Sequence, residues 1–273
     1  MSTITLSGLF VYPVKGARGI TLDRAQATSL GIEHDRRFMI VDPDGEFLTQ
    51  REHPEMALIE TTIEGEALIL GAKGHGPLRL PLRPEGPTNR RVRVWSDKCS
   101  AVFVGDEAAA YLSDYLGRRV ELVYMPADAA RRVDGRYARR KERVAFADGF
   151  PFLLTSEGSL ADLNARLAEG VPMDRFRPNL VVRGAPPWGE DAWTSLSIGS
   201  VVFHSRKACS RCSVITVDQA TGARGQDPLA TLATFRARAN RVYFGWNLVA
   251  EEEGELRVGD AVTLLARSYD EAR

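Results

Sequence analysis

Short apolar runs broken by turn residues constrain this chain more than any other feature of its sequence. The pattern is clearest in Phe38-Met39-Ile40-Val41, Asp42-Pro43-Asp44-Gly45 and Glu46-Phe47-Leu48-Thr49. Proline fixes φ and glycine supplies a positive φ, so Asp-Pro-Asp-Gly between two apolar runs predicts a hairpin. Residues 3–12 read as a strand that ends before Pro13. Alternation and β-branched content predict further strands at 20–22, 57–63, 66–70, 92–104, 120–125, 150–155, 180–182, 193–198, 200–205, 214–217, 242–249 and 262–265. Helical patterns are few. One runs from Asp106 to Leu116 with Gly117 as its stop, one carries Leu160, Leu163 and Leu167, and Asp227-Pro228 opens a third. This inventory predicts a β-rich α+β protein, with a closed or nearly closed barrel in the C-terminal half.

Composition removes several classes of function. Thirty-six basic residues balance 36 acidic ones over 273 residues, which argues against a bulk nucleic-acid binder, so any anion must be met locally. No stretch approaches the roughly 18 apolar residues of a membrane span. The start has no basic region followed by an apolar core, and three cysteines are an odd number for a disulfide framework, so the expected compartment is the cytoplasm. Residues 131–143 hold seven basic residues against two acidic ones without apolar periodicity, which predicts a mobile surface loop and a linker. Domains are accordingly expected at 1–126 and 127–273. Within the run, Arg139, Arg140 and Lys141 are candidates for docking an acidic electron-transfer partner or covering an anionic site.

Chemistry concentrates in Lys207-Ala208-Cys209-Ser210-Arg211-Cys212-Ser213. A free thiol is only about 3% ionised at pH 7, and holding it as thiolate costs roughly 2 kcal/mol, which nearby cations such as Arg206, Lys207 and Arg211 or a bound metal offset. Three other readings stay open on spacing alone. A buried pair of free cysteines packs like two small hydrophobes. A thioredoxin-like pair should open a helix, whereas this one is expected to open a strand. A zinc site needs four ligands, and beyond this pair there are only Cys99 and scattered histidines such as His204.

Other stretches are suited to anions. Lys15-Gly16-Ala17-Arg18-Gly19 is a basic, glycine-rich loop that lets backbone approach a phosphate. Thr155-Ser156 stands at a helix start, where hydroxyls and free N–H groups attract anions. In Phe176-Arg177-Pro178-Asn179 the proline pins Arg177 and Asn179 at a strand start. The glycine-rich loop at 71–76 has neither the spacing nor the following helix of a nucleotide site.

With its surroundings, the segment Lys207 to Gly222 resembles the signature of the MOSC family of molybdenum-cofactor proteins. Leu9 to Gly16, Asp35-Arg36-Arg37-Phe38, Pro151 to Glu157, Phe176 to Asn179 and Val258-Gly259-Asp260 support the resemblance in the family's order across nearly the whole chain. The chain is similar in particular to the two-part members related to the amidoxime-reducing components. The resemblance implies an N-terminal MOSC β domain packed on a C-terminal MOSC β-barrel, with the molybdenum cofactor, Mo-molybdopterin, between them. It implies that Cys212 is the metal ligand and the catalytic thiolate, and that Cys209 is structural or acts on the site only through the ligand's surroundings. The implied cofactor anchors are Lys15, Gly16, Arg36, Ser156, Arg177, Asn179 and Ser210 together with Cys212. Gly16 stands where relatives often carry serine, and Ala208 where many carry proline. The implied activity is reduction of N-hydroxylated small molecules, hydroxylamines or amidoximes. Three cysteines and no dinucleotide fingerprint leave the electrons to a separate protein. The alternative is a cofactor carrier or a sulfur-transfer protein using a persulfide.

Overall fold

The computed structural model describes residues 3–138 and 142–267. Arg139, Arg140 and Lys141, the candidate docking residues, lie outside them. A nine-stranded sheet dominates the second half of the chain. Its path, with Ala237–Arg238 pairing Arg241–Ala250 beside it, runs Val262–Arg267, Trp193–Ile198, Val201–Arg211, Arg241–Ala250, Phe152–Ser156, Leu180–Arg183, Thr5–Val11 and Ile20–Leu22. The last two strands come from the start of the chain. Leu6, Leu9, Val11, Ala25, Ala27 and Ile32 accordingly share one core with Phe152, Leu154, Val182, Phe203 and Leu248.

The path is open and does not close into the expected barrel. The start of Thr5–Val11, next to the last strand of the path, touches the segment before Val262–Arg267 at the Thr5–Ala261 bridge, through Leu6 N–H to Asp260 O and Val262 N–H to Ile4 O, both 2.9 Å, and Gly259 N–H to Leu6 O at 2.8 Å. The ladder goes no further because Leu9, Phe10 and Val11 take Leu22, Thr21 and Ile20 as neighbours on that edge, while Thr5 to Leu9 pairs with Leu180–Arg183 on the other.

A second sheet of five strands runs Arg90–Val94, Asp97–Phe103, Glu121–Tyr124, Phe38–Val41 and Val14–Lys15. Helix α1 (Asp106–Leu116) buries Ala108, Leu112 and Leu116 in the core of this half, and Gly117 ends it at φ +62°. The predicted hairpin forms: Leu48 N–H bonds Ile40 O at 2.9 Å, Gly45 turns at φ +81°, and the Asp42 carboxylate accepts from the N–H groups of Asp44 and Glu46. The chain thus leaves the first sheet at Tyr12-Pro13 and enters the second at Val14, so the two sheets abut where Lys15 lies.

Three local expectations change. The run 92–104 is two strands joined at Trp95-Ser96. Val214 to Val217 is not a strand: Ser213–Thr216 forms a 3₁₀ turn, because the Thr216 hydroxyl bonds Ser213 O at 2.8 Å and Val217 N–H bonds Val214 O at 3.1 Å. The cysteines instead follow the long strand Val201–Arg211. The basic run is also more than a solvated loop. Arg131 is buried and donates to Ala145 O, Ala147 O and Asp97, Arg131–Arg132 pairs with Arg143–Val144, and the buried Arg206–Glu142 ion pair closes at 3.1 Å.

Candidate functional site

One cleft lies along the junction of the two sheets. Its walls carry Lys15, Gly16 and Arg36 from the first part of the chain and Arg177, Asn179, Cys209, Ser210 and Cys212 from the second. It encloses about 980 Å³ of space, part of it open solvent. Residues separated by nearly 200 positions converge there, as the sequence expectation required. Cys212 is exposed on this wall.

The long strand Val201–Arg211 delivers the cysteines through two irregularities, between Ser205 and Lys207 and between Ala208 and Ser210, in its pairing with Arg241–Ala250. Such bulges re-aim side chains at functional sites. The partner strand makes room with Gly245 (φ +75°), where a Cβ would stand 2.5 Å from Leu154 O. Burial pushes the Cys209 thiol up, which suits a structural role.

Arg36 and Arg177 both have positive φ, at +46° and +52°, and each guanidinium lies 4.3 Å from the centre of the Tyr12 ring. Non-glycine residues in that region tend to cluster at ligand clamps. Arg36 donates to Asp35 at 2.6 Å, to Asn179 Oδ1 at 3.2 Å and to Arg177 O at 3.1 Å. Arg177 donates to Gln219 at 3.1 Å, and burial lowers its pKa to about 10, which leaves it cationic at neutral pH. Burial likewise pushes the Tyr12 phenol up to about 12.

Six cations line the cleft, Lys15, Arg36, Arg51, Arg175, Arg177 and Arg211, against one carboxylate, Asp148. Lys15 is buried, which lowers its pKa, and it donates to Phe146 O and to Asp148. The Asp148 side chain remains 71% accessible through the cleft mouth. The surrounding walls push its pKa up, but the Lys15 ammonium, the Trp95 indole N–H and Arg36 outweigh them and hold the carboxyl well below the usual range. Solvent at so accessible a group screens part of that attraction.

Two anchor expectations are corrected in detail. Ser156 caps helix α2 (Glu157–Asn164) by accepting from Ser159 N–H, and its hydroxyl is committed to buried Glu190 at 3.0 Å, away from the cleft walls. Asn179 does line the cleft, yet its amide binds Phe10 O, Leu153 N–H and Arg36. It holds Arg36 in place. The cations expected to favour a Cys212 thiolate also act elsewhere: Arg206 on Glu142, Lys207 over the Tyr137 ring, and Arg211 on the carbonyls of Phe176 and Phe244.

Sequence reading missed Asp148, Trp95, Gln50 and Gln219. The two glutamines are buried and exchange reciprocal amide bonds of 3.1 and 2.9 Å. Gln50 also donates to Gly16 O at 2.7 Å, so this pair ties the Lys15 loop, Arg177 and the segment after Cys212 together. Gly16 has φ +86°, where any side chain is strained, whereas the Met56 Cε that a Cβ would meet at 2.7 Å is the flexible end of a side chain that can shift.

The donor set fits an anionic, acceptor-rich group. Among the described residues, four of the six buried side-chain polar atoms without a partner belong to cleft-lining residues: Thr49 Oγ1, Arg175 Nε, Arg177 Nη2 and Arg211 Nη2. Buried donors left unpaired are costly, so their clustering marks a place for an acceptor-rich ligand. No group of three or more His, Cys, Asp or Glu side chains gathers to hold a metal among the described residues.

The two abutting sheets and their shared cationic cleft are those of a MOSC protein, and the chain belongs to that family. The MOSC N-terminal beta barrel domain matches residues 3–119 and the MOSC domain residues 141–263. Mitochondrial amidoxime-reducing component 1 of Homo sapiens is 34% identical over 281 residues, 96% of this chain and 83% of that protein. Mitochondrial amidoxime reducing component 2 of Bos taurus is 34% identical over 94% of this chain and 82% of its own length. Molybdenum cofactor sulfurase of Oryza sativa is 32% identical over 93% of this chain, but over only 34% of the larger protein.

Proposed function

We propose that this protein is a molybdenum-cofactor oxidoreductase that reduces N-hydroxylated compounds such as amidoximes and hydroxylamines. One observation carries the reading: an exposed cysteine lines the cleft in which buried cationic donors lack partners. Lys15, Arg36 and Arg177 would hold the anionic end of the cofactor, Ser210 and the Gly16 backbone would add hydrogen bonds, and Cys212 would ligate the metal. Soft sulfur suits molybdenum on a dithiolene. When bound, the cofactor supplies two-electron chemistry for removing the oxygen atom. Asp148, ionised and open to solvent, accepts a hydrogen bond from the N–H or O–H of the substrate. Lys15 fixes that carboxylate from the buried side. Electrons come from a separate redox protein, and the three free cysteines suit a reducing, cytoplasmic setting.

The test combines molybdenum and pterin content with turnover of an amidoxime by a chemical reductant. Protein from a molybdenum-replete host is expected to contain both and to turn over, and Cys212→Ser is expected to abolish turnover without unfolding the protein, because that sulfur packs into no core. Absence of molybdenum and pterin would overturn the reading. The similarity to a cofactor sulfurase keeps a carrier or sulfur-transfer role as the second reading. Cofactor content without turnover would favour it.

A further inference from the structure

Trp95 is the only Phe, Tyr or Trp among the described residues that stands exposed, at 44% accessibility. It is the first of two loop residues joining Arg90–Val94 to Asp97–Phe103, with φ +57°. Loops of this length place glycine or asparagine at positive φ, and a bulky side chain there is disfavoured. The indole is nevertheless firmly held. Its N–H donates to Asp148 at 3.1 Å, the Arg51 guanidinium lies 4.5 Å from its ring centre, and Phe47 meets it edge-on at 5.2 Å. An aromatic kept for stability would be buried on a relaxed backbone. This one is exposed on a disfavoured backbone, and it stands in the wall of the cleft that holds Asp148, Phe150 and Cys212. A bulky, exposed aromatic held in place on a backbone that disfavours it, in the wall of a cleft, marks a functional position.

We propose that Trp95 determines specificity by offering its indole as a platform for the planar, aromatic part of the substrate, while the indole N–H keeps Asp148 beside it for the N-hydroxyl end. The inference rests on the reductase reading above and narrows it to aryl and heteroaryl N-hydroxylated compounds. Arg51 fixes the ring from one side, and its charge disfavours cationic rings.

Benzamidoxime and acetamidoxime, a planar probe and its alkyl counterpart, test the assignment in the native protein, Trp95→Gly and Trp95→Phe. Glycine suits the turn, so that variant keeps the hairpin. With a chemical reductant, the preference for the aryl probe in kcat/KM is expected to fall about fivefold in Trp95→Gly, the size of one aromatic contact, carried by KM and largely restored by phenylalanine. Calorimetric titration of both probes into cofactor-free protein gives a second readout, in which the native preference for the aryl probe is lost in Trp95→Gly. Equal effects on both probes, or no aryl preference in the native protein, overturn the proposal. If neither probe is turned over by native cofactor-loaded protein, the reductase reading fails instead, and the titration alone decides the role of Trp95.

Discussion

Gln219 shows how much of the site rests on residues without chemistry of their own. Its amide oxygen accepts from both Gln50 and Arg177, and its amide nitrogen donates to Gln50 and to Val217 O. Gln219→Leu leaves the Gln50 amide oxygen, one of its N–H groups and one Arg177 donor without partners in a buried setting, at a cost of about 1–3 kcal/mol per orphaned group. The urea midpoint is expected to fall. The double variant Gln50→Leu/Gln219→Leu should be less destabilised than the sum of the single changes, because both partners of the pair are then gone. Glu190 provides a pH test. It is buried, and burial raises its pKa above the ordinary value despite the Ser156 and Ser159 hydroxyls. The folded state therefore holds this proton more tightly than the unfolded chain. The group's contribution is full below the ordinary glutamate pKa of about 4.3 and is lost as pH rises through the raised value. Glu190→Gln is expected to flatten that decline in urea midpoints measured upward from pH 4. Lys15, Arg36 and Arg177 were legible as residue types beside turns and prolines. Their partners were not, because Gln50, Asp148 and Gln219 act through contacts between distant segments that leave no local pattern.

Elements were most legible where turn chemistry and apolar pattern agree, as at Asp42 to Gly45 and from Asp106 to Gly117. They were misread where one residue overrides the pattern. Val92-Arg93-Val94 starts like a strand that continues to Val104, and its turn at Trp95-Ser96 carries no glycine to announce it. The β-branched Val214-Ile215-Thr216 promises a strand, yet it turns on local hydrogen bonds. Helix α2 poses the same conflict in a form that can be measured. Alanine normally stabilises a helix by about 0.5–1 kcal/mol relative to glycine. A Cβ on Gly158, however, would stand 2.5 Å from Ala185 O and 3.3 Å from the Pro186 carbonyl carbon, both backbone atoms. Overpacking of this kind costs roughly 1–3 kcal/mol, so the sign reverses. Gly158→Ala is expected to lower the thermal midpoint, and a rise would show that the 185–186 segment yields easily.

At the scale of the whole molecule, the expected division at 126 meets a sheet that crosses it. Thr5–Val11 pairs with Leu180–Arg183 on one side and Ile20–Leu22 on the other, and Arg24–Thr28 pairs with Gly254–Arg257. Family matches at 3–119 and 141–263 follow sequence, whereas the cores follow space. Strand pairing at such sequence separation is invisible to periodicity, which explains why the β-rich class was legible and the shared sheet was not. The consequence concerns folding. A fragment of residues 127–273 would lose Leu6, Leu9, Val11, Ala25, Ala27 and Ile32 from its core and expose the edge of Leu180–Arg183. Each fully buried side chain of this kind contributes about 1.5–3 kcal/mol for the larger residues, which together is comparable to the whole stability of an ordinary domain, about 5–15 kcal/mol. The fragment is expected to unfold without a cooperative transition by circular dichroism and to bind a hydrophobic dye. A fragment beginning near 127 and carrying residues 3–32 joined through a flexible linker should regain cooperativity, because it restores both missing strand partners. Cooperative unfolding of the fragment alone would mean that the two halves are independent domains and that the cleft between them is assembled by docking, not by a common core.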